Sequence, residues 1–156
     1  DLASDVDALR IEKLGVQVVQ INTGKGCHLN AAMIQKSFEN LNLETIQVIF
    51  IENVGNLVCP AGYKLGENVT VLVTSTTEGD DKILKYPPVF QLANLLILNK
   101  IDLLTYVDYD LEKLKKEFIK INPKARLLPL SSKTGEGFND WIEWLKNETC
   151  IFRHKT

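Results

Sequence analysis

Four consecutive residues, Asn99-Lys100-Ile101-Asp102, carry the most specific chemistry in this sequence. A carboxylate in the last position can accept from a purine's ring N–H and exocyclic amine together, a donor pair that guanine offers and adenine lacks. Asn99 can brace the loop, while the Lys100 stem lies over the ring face and keeps its charge in solvent. Further along, Ser131-Ser132-Lys133-Thr134-Gly135 offers a backbone N–H for the guanine carbonyl oxygen. The plainer reading is a polar turn leaving a strand. The Ser-Ser-Lys partner after the next strand favours the base-reading one.

A second constellation is soft. Cys27-His28 follows one apolar run and Cys59 follows the next. Thiolate and imidazole are the ligand types of Zn²⁺ and also suit Ni²⁺. Three ligands are too few for a closed tetrahedral site, and a twofold interface would allow coordination shared across a dimer. Taken alone, the same residues are read more plainly as two small buried thiols and a hydrogen-bonded histidine. Cys150 stands near the end of the chain without visible partners.

The third set is acidic. Residues 48–51 are apolar and run into Glu52, with Gly55 three positions on. That pattern resembles the strand and switch segment of P-loop enzymes, in which the acid serves Mg²⁺ and the glycine N–H meets the γ-phosphate. Asp5 and Asp7 are candidate acids for the same ion, although each also reads as a helix-cap or surface residue. A phosphate loop needs Gly, four residues, then Gly-Lys-Ser/Thr. Gly24-Lys25 is followed by Gly26, and Val19 stands where the leading Gly belongs, so this pair is not that loop. The chain opens on Asp1-Leu2-Ala3-Ser4-Asp5 without Met or a signal-peptide pattern.

The elements that position these groups read as α/β. Residues 16–21, 46–51, 69–73, 95–98 and 126–130 are strand-like apolar runs. Helical patterns fall on a stretch carrying Ala8, Ile11 and Leu14, on 28–41, around 88–92, on 111–121 and on 138–145. Ser4 or Asp5 would cap the first of these and Gly15 would stop it. Runs apolar on both faces and separated by helices predict a mostly parallel sheet with helices on both sides, a three-layer α/β/α fold. In such sheets ligands gather at the carboxyl ends of the strands, where nearly all the residues above fall. With 156 residues, 45% hydrophobic and 24% charged, the chain suits one globular domain. A formal charge of −2 gives no electrostatic case for nucleic acid or an anionic membrane. Three cysteines without a secretion signal argue for a reduced, cytoplasmic protein.

Several segments together resemble the hydrogenase nickel-incorporation GTPases, the HypB family. They are Asp5-Val6-Asp7-Ala8-Leu9-Arg10, the run from Gln20 through Gly26-Cys27-His28-Leu29, and Ile51-Glu52-Asn53-Val54-Gly55-Asn56-Leu57-Val58-Cys59-Pro60. Thr76-Thr77-Glu78-Gly79-Asp80-Asp81-Lys82 and Leu98-Asn99-Lys100-Ile101-Asp102-Leu103 continue the match in order. The resemblance implies a SIMIBI-class P-loop fold, a GTP-dependent homodimer, and a Cys27/His28/Cys59 site for Ni²⁺ or Zn²⁺. It implies Asp7, Glu52 and Gly55 as catalytic residues, with Asp7 and Glu52 on Mg²⁺. Asn99, Lys100, Asp102 and Ser131, Ser132, Lys133 would hold GTP or GDP. The implied partners are a nickel metallochaperone and the hydrogenase large subunit.

Two departures stand out. The family's phosphate loop precedes the segment that begins at Asp1, so the 156 residues alone are expected to hydrolyse nothing. Ala32 stands where some members carry another histidine. The alternatives are a non-enzymatic Ni/Zn-binding domain and a urease-accessory GTPase, whose Cys-Pro-His motif is broken here by Ala61 after Cys59-Pro60.

Overall fold

A computed structural model describes residues 5–24 and 26–153. The chain divides into two compact units, Asp1–Glu67 and Asn68–Thr156.

The second unit is built on a parallel sheet of β1 (Val71–Ser75), β2 (Leu95–Asn99) and β3 (Arg126–Pro129), in that order. Val71 pairs with Leu95 and Leu95 with Arg126, so the three strands end level with one another. Alternation sends Leu95 and Ile97 to one face, where they join Leu128, Leu130 and Trp144. Trp144 belongs to α6 (Phe138–Arg153), which runs beyond the predicted 138–145 because no glycine or proline interrupts it. Its Trp141 and Trp144 rings stack at 5.6 Å and 19°. Leu96 and Leu98 are fully buried on the opposite face. Around the sheet, α3 (Lys82–Lys85), α4 (Pro87–Leu92) and α5 (Leu111–Ile121) pack on one another. Phe90 meets Phe118 edge to face at 6.5 Å. Burial of each such side chain contributes roughly 1.5–3 kcal/mol.

Asn122 fastens this arrangement at the end of α5. Its amide nitrogen donates to the carbonyls of Phe90 (2.9 Å), Gln91 (3.2 Å) and Ala93 (2.8 Å). At the other end Asp110 accepts from the Lys113 N–H at 2.9 Å, the side-chain cap that starts the helix.

The first unit departs from expectation. Residues 16–21 and 46–51 are not strands, the second carrying a bend at Gln47, and the described ladder contains β1, β2 and β3 alone. A β-branched run favours extended dihedrals, but it becomes a strand only when a neighbour supplies the hydrogen-bond ladder. Here Val48, Ile49 and Phe50 lie exposed instead, and Gln17 uses its side chain on the Asn42 N–H (2.8 Å) and the Thr45 hydroxyl (3.3 Å). Helix α1 (Val6–Glu12) ends near Gly15, whose φ of 74° suits a glycine stop, but Asp5 makes no side-chain cap and Ser4 lies outside the described residues. Helix α2 (Ala31–Ser37) is shorter than the predicted 28–41. Asn30 caps it through the Met33 N–H at 3.0 Å, and one tighter turn, Phe38–Asn40, follows. Leu29 and Ile34 form its buried core.

Candidate functional site

The base-reading residues converge at the carboxyl end of the sheet in the second unit. Asn99, Lys100, Asp102, Leu103, Ser132 and Lys133 line a recess of about 240 Å³. Asn99 ends β2, and its side-chain oxygen accepts from Lys100 N–H (2.7 Å), Ser132 N–H (3.0 Å) and the Ser132 hydroxyl (2.9 Å). One amide oxygen therefore binds the loop after β2 to the loop after β3. Ser131 is fully buried and donates its hydroxyl proton to Asp102 at 2.6 Å. That hydroxyl also receives the Thr134 N–H at 3.1 Å, so both loops fix the carboxylate's direction. The Ser132 N–H is spent on Asn99, and the Lys133 N–H has no acceptor among the described residues. Lys133 thus offers the backbone donor open to the recess.

Lys100 adopts a left-handed conformation, φ 62° and ψ 35°, a strained state for a side chain with a Cβ. Two contacts hold it there: Asn99 on its N–H, and the buried Thr76, whose hydroxyl donates to the Lys100 carbonyl at 2.8 Å. The sequence reading placed no role on Thr76. Its only signal was a hydroxyl just past the end of a parallel strand. Gly137, at φ 72°, packs against the end of β3, where a Cβ would run into the Pro129 carbonyl.

The soft residues gather in the first unit. Cys27 Sγ lies 3.6 Å from His28 Nδ1. The Cys27 thiol, hydrogen-bonded to Cys59, raises the Cys59 pKa above the ordinary thiol range, with desolvation and the neighbouring charge acting in the same direction. Cys27 is exposed and Cys59 intermediate, which rules out a reading as buried packing thiols. The His28 ring stacks on Tyr63 at 3.7 Å and 13°, a partner that no motif or spacing predicts. Yet among the described residues no group of three or more His, Cys, Asp or Glu side chains is arranged to hold a metal ion. The neighbours are in place; a closed coordination shell is not. Cys150 is exposed and belongs to the other unit.

The acids are less gathered. Asp7 is exposed and ion-paired with Arg10 at 2.9 Å. Glu52 is exposed, and Gly55 lies in an exposed bend without positive φ. Carboxylate oxygens are suitable donors for Mg²⁺, and among the described residues neither Asp7 nor Glu52 belongs to a group of three or more potential metal ligands. Thr23 and Gly26 close a small turn beside the Cys27 loop, with Gly26 N–H on the Thr23 carbonyl at 2.9 Å; Lys25 lies outside the described residues.

The model of the CobW/HypB/UreG nucleotide-binding domain matches residues 1–129. Hydrogenase maturation factor HypB of Escherichia coli K12 is 48% identical over 144 residues, 92% of this chain and 50% of that protein. The probable HypB of Methanocaldococcus jannaschii is 47% identical over 146 residues, covering 94% and 66%. The crystal structure of HypB from Archaeoglobus fulgidus superposes with a TM-score of 0.87 at 40% identity, over 94% of this chain and 71% of that one. HypB from Helicobacter pylori in complex with nickel gives 0.92 at 38%, over 96% and 72%. The chain spans about half the length of the first curated relatives it matches.

Proposed function

Because the chain belongs to the CobW/HypB/UreG family of nucleotide-binding proteins, on its HypB branch, we propose that it is the guanine-reading and metal-carrying part of a nickel-delivery GTPase for hydrogenase maturation. The observation that carries this reading is the Asp102 carboxylate, aimed by a fully buried serine and bracketed by Asn99. Its second oxygen and the fixed loops suit the guanine N–H pair. The Lys133 N–H then meets the carbonyl oxygen, and the Lys100 stem covers the ring. A bidentate pairing of this kind separates guanine from adenine by roughly 1–3 kcal/mol.

Nickel is cargo in this reading. Cys27, Cys59 and His28 are its ligands, with Zn²⁺ as the competing ion of the same ligand taste. The nickel complex of the Helicobacter pylori relative supports that assignment. Three protein ligands leave coordination positions open, which suits an ion that must be passed on, and a second copy of the chain can complete them in a homodimer. A nickel metallochaperone and the hydrogenase large subunit are the proposed donor and recipient. GTP hydrolysis gates binding and release, with Glu52, Gly55 and Asp7 on the phosphate side. Asp7 and Glu52 would hold Mg²⁺ there, carboxylate oxygen being its preferred donor. No described helix is long and apolar enough to cross a membrane, and we place the protein in the cytoplasm. The 156 residues alone are proposed to bind guanine nucleotide at best weakly and without turning it over, since Gly24-Lys25-Gly26 cannot serve as a phosphate loop.

Calorimetry with GDP and ADP tests the reading. GDP should bind at least tenfold more tightly. Asp102→Asn should lose that preference and gain xanthine nucleotide, since an acceptor becomes partly a donor. Ser131→Ala should weaken GDP by about 1–2 kcal/mol through loss of the hydroxyl that aims the carboxylate. Equal affinity of the wild type for GDP and ADP would end the guanine assignment.

A further inference from the structure

Asn56 sits between the two cysteine segments and bonds to both. Its Nδ2 donates to the Cys27 carbonyl at 2.7 Å. Its Oδ1 accepts from the Cys59 N–H at 2.8 Å and the Val58 N–H at 3.1 Å. One side chain thus spans the backbone of residue 27 and that of residue 59. A second asparagine repeats the device one turn earlier. Asn53 Oδ1 accepts from Leu29 N–H at 3.0 Å and from Val54 N–H at 2.8 Å. The segment from Asn53 to Cys59 is therefore stitched to the Cys27-His28-Leu29 loop at both ends of that loop.

The chemistry of these bonds is selective. An amide is the one neutral side chain of this length that donates and accepts at opposite edges of a plane. A carboxylate keeps the acceptor edge and turns the donor edge into a second acceptor, facing the Cys27 carbonyl. A serine is too short to reach both. Nothing else described here ties the Cys27 backbone to the Cys59 backbone.

We propose that Asn56 is the positioning residue of the metal site, holding the backbones of Cys27 and Cys59 together so that one soft ion can be bound by both side chains. This rests on the reading of Cys27, His28 and Cys59 as metal ligands. Asn56 itself touches no metal. It acts by removing the search that two separate loops would otherwise make before they share an ion. Groups that orient ligands in this way typically change metal affinity by about 10–100-fold. Asn53 adds a second tether, which fixes Leu29 and so limits the loop that carries His28.

The test uses two readouts on the reduced protein in a Cys150→Ser background. The first is Ni²⁺ affinity by competition with a chromophoric chelator. The second needs no metal: the equilibrium constant for the Cys27–Cys59 disulfide against glutathione, in which the two thiols reduce one glutathione disulfide to two glutathione thiols. That constant measures how close the chain holds the thiols. Asn56→Asp is expected to lower both by about tenfold or more, with GDP affinity unchanged, because the guanine recess is built from other residues. Asn56→Ser should lower both at least as far, and far-ultraviolet circular dichroism checks that each variant folds. If either readout is unchanged in both folded variants, the positioning role is overturned. Loss of metal alone would mean that Asn56 does not act by spacing the thiols. Cys59→Ala in the same chelator titration tests the underlying reading separately. Wild-type Ni²⁺ affinity in that variant would sink the metal site, whatever the disulfide constant says about Asn56.

Discussion

Asp102, Ser131 and Asn99 illustrate how few side chains decide what the recess can read. Asp102 sets the choice of base, Ser131 sets the direction of Asp102, and Asn99 holds the two loops in register. The first and last were legible in the sequence as a polar cluster at a strand end. The hydroxyl relay through Ser131 was not, since it depends on burial. A different residue reports on the same unit through pH. Tyr109 is about half-buried, and its phenol is pushed up to about 12, first by desolvation and then by Asp80 and Glu78. A raised acid pKa in the folded state means that the folded chain holds its proton longer than the unfolded one. Its contribution is therefore whole below pH 10.0, the unfolded value, and is lost as pH rises through about 12. Discounted for solvent screening at a partly exposed site, the effect is about 1 kcal/mol. Tyr109→Phe should flatten the fall in unfolding free energy across that window and remove the late phenolate step from a spectrophotometric titration. A full complement of tyrosines titrating near the ordinary value in the wild type would contradict this.

At the scale of elements, the strands that pair were readable and those that do not pair were misread. Runs 95–98 and 126–130 match β2 and β3 within a residue, and 69–73 is displaced from β1 by two. Of those three, β2 buries Leu95, Leu96, Ile97 and Leu98 on both faces, and β1 and β3 pair along its two edges, so composition and ladder agree. Runs 16–21 and 46–51 have strand-like composition but no ladder partner, and pattern alone carries no information about who the neighbour is. The shortened start of α2 has a similar cause: Leu29 N–H is drawn to Asn53, a contact between distant segments that periodicity cannot show. Helix α5 was read to the residue because both its ends are local, an Asp110 cap and an Asn122-Pro123 stop. Asn122 does more than stop it. Its amide holds three carbonyls at the end of α4, and Asn122→Ala would leave them without that donor in a site that is nearly closed to water. The expected cost is about 2–4 kcal/mol, visible as a lowered midpoint in chemical denaturation. A midpoint within error of the wild type would show that water replaces the amide without loss.

For the molecule as a whole, the two units differ in how they manage apolar surface. The second unit buries every apolar residue of its central strand, Leu95 to Leu98, whereas the first leaves Val48, Ile49 and Phe50 in solvent, Phe50 at 69% exposure. An exposed apolar segment invites association with another copy. Phe50→Glu is therefore expected to raise the protein concentration at which light scattering first appears, with GDP affinity unchanged. An unaltered onset would place the source of association elsewhere. The aromatic side chains are divided just as unevenly. Both tryptophans of the chain lie on α6, stacked beneath the sheet, and Tyr63 is the first unit's single tyrosine. Intrinsic indole fluorescence is thus a one-sided instrument. Emission and the near-ultraviolet couplet of the stacked pair follow the guanine-reading half, while the thiol-bearing half passes unseen except through Tyr63. A melt recorded by tryptophan and one recorded by thiol labelling in a Cys150→Ser background are consequently two different experiments on one chain. Any gap between their midpoints measures directly how independently the two halves unfold.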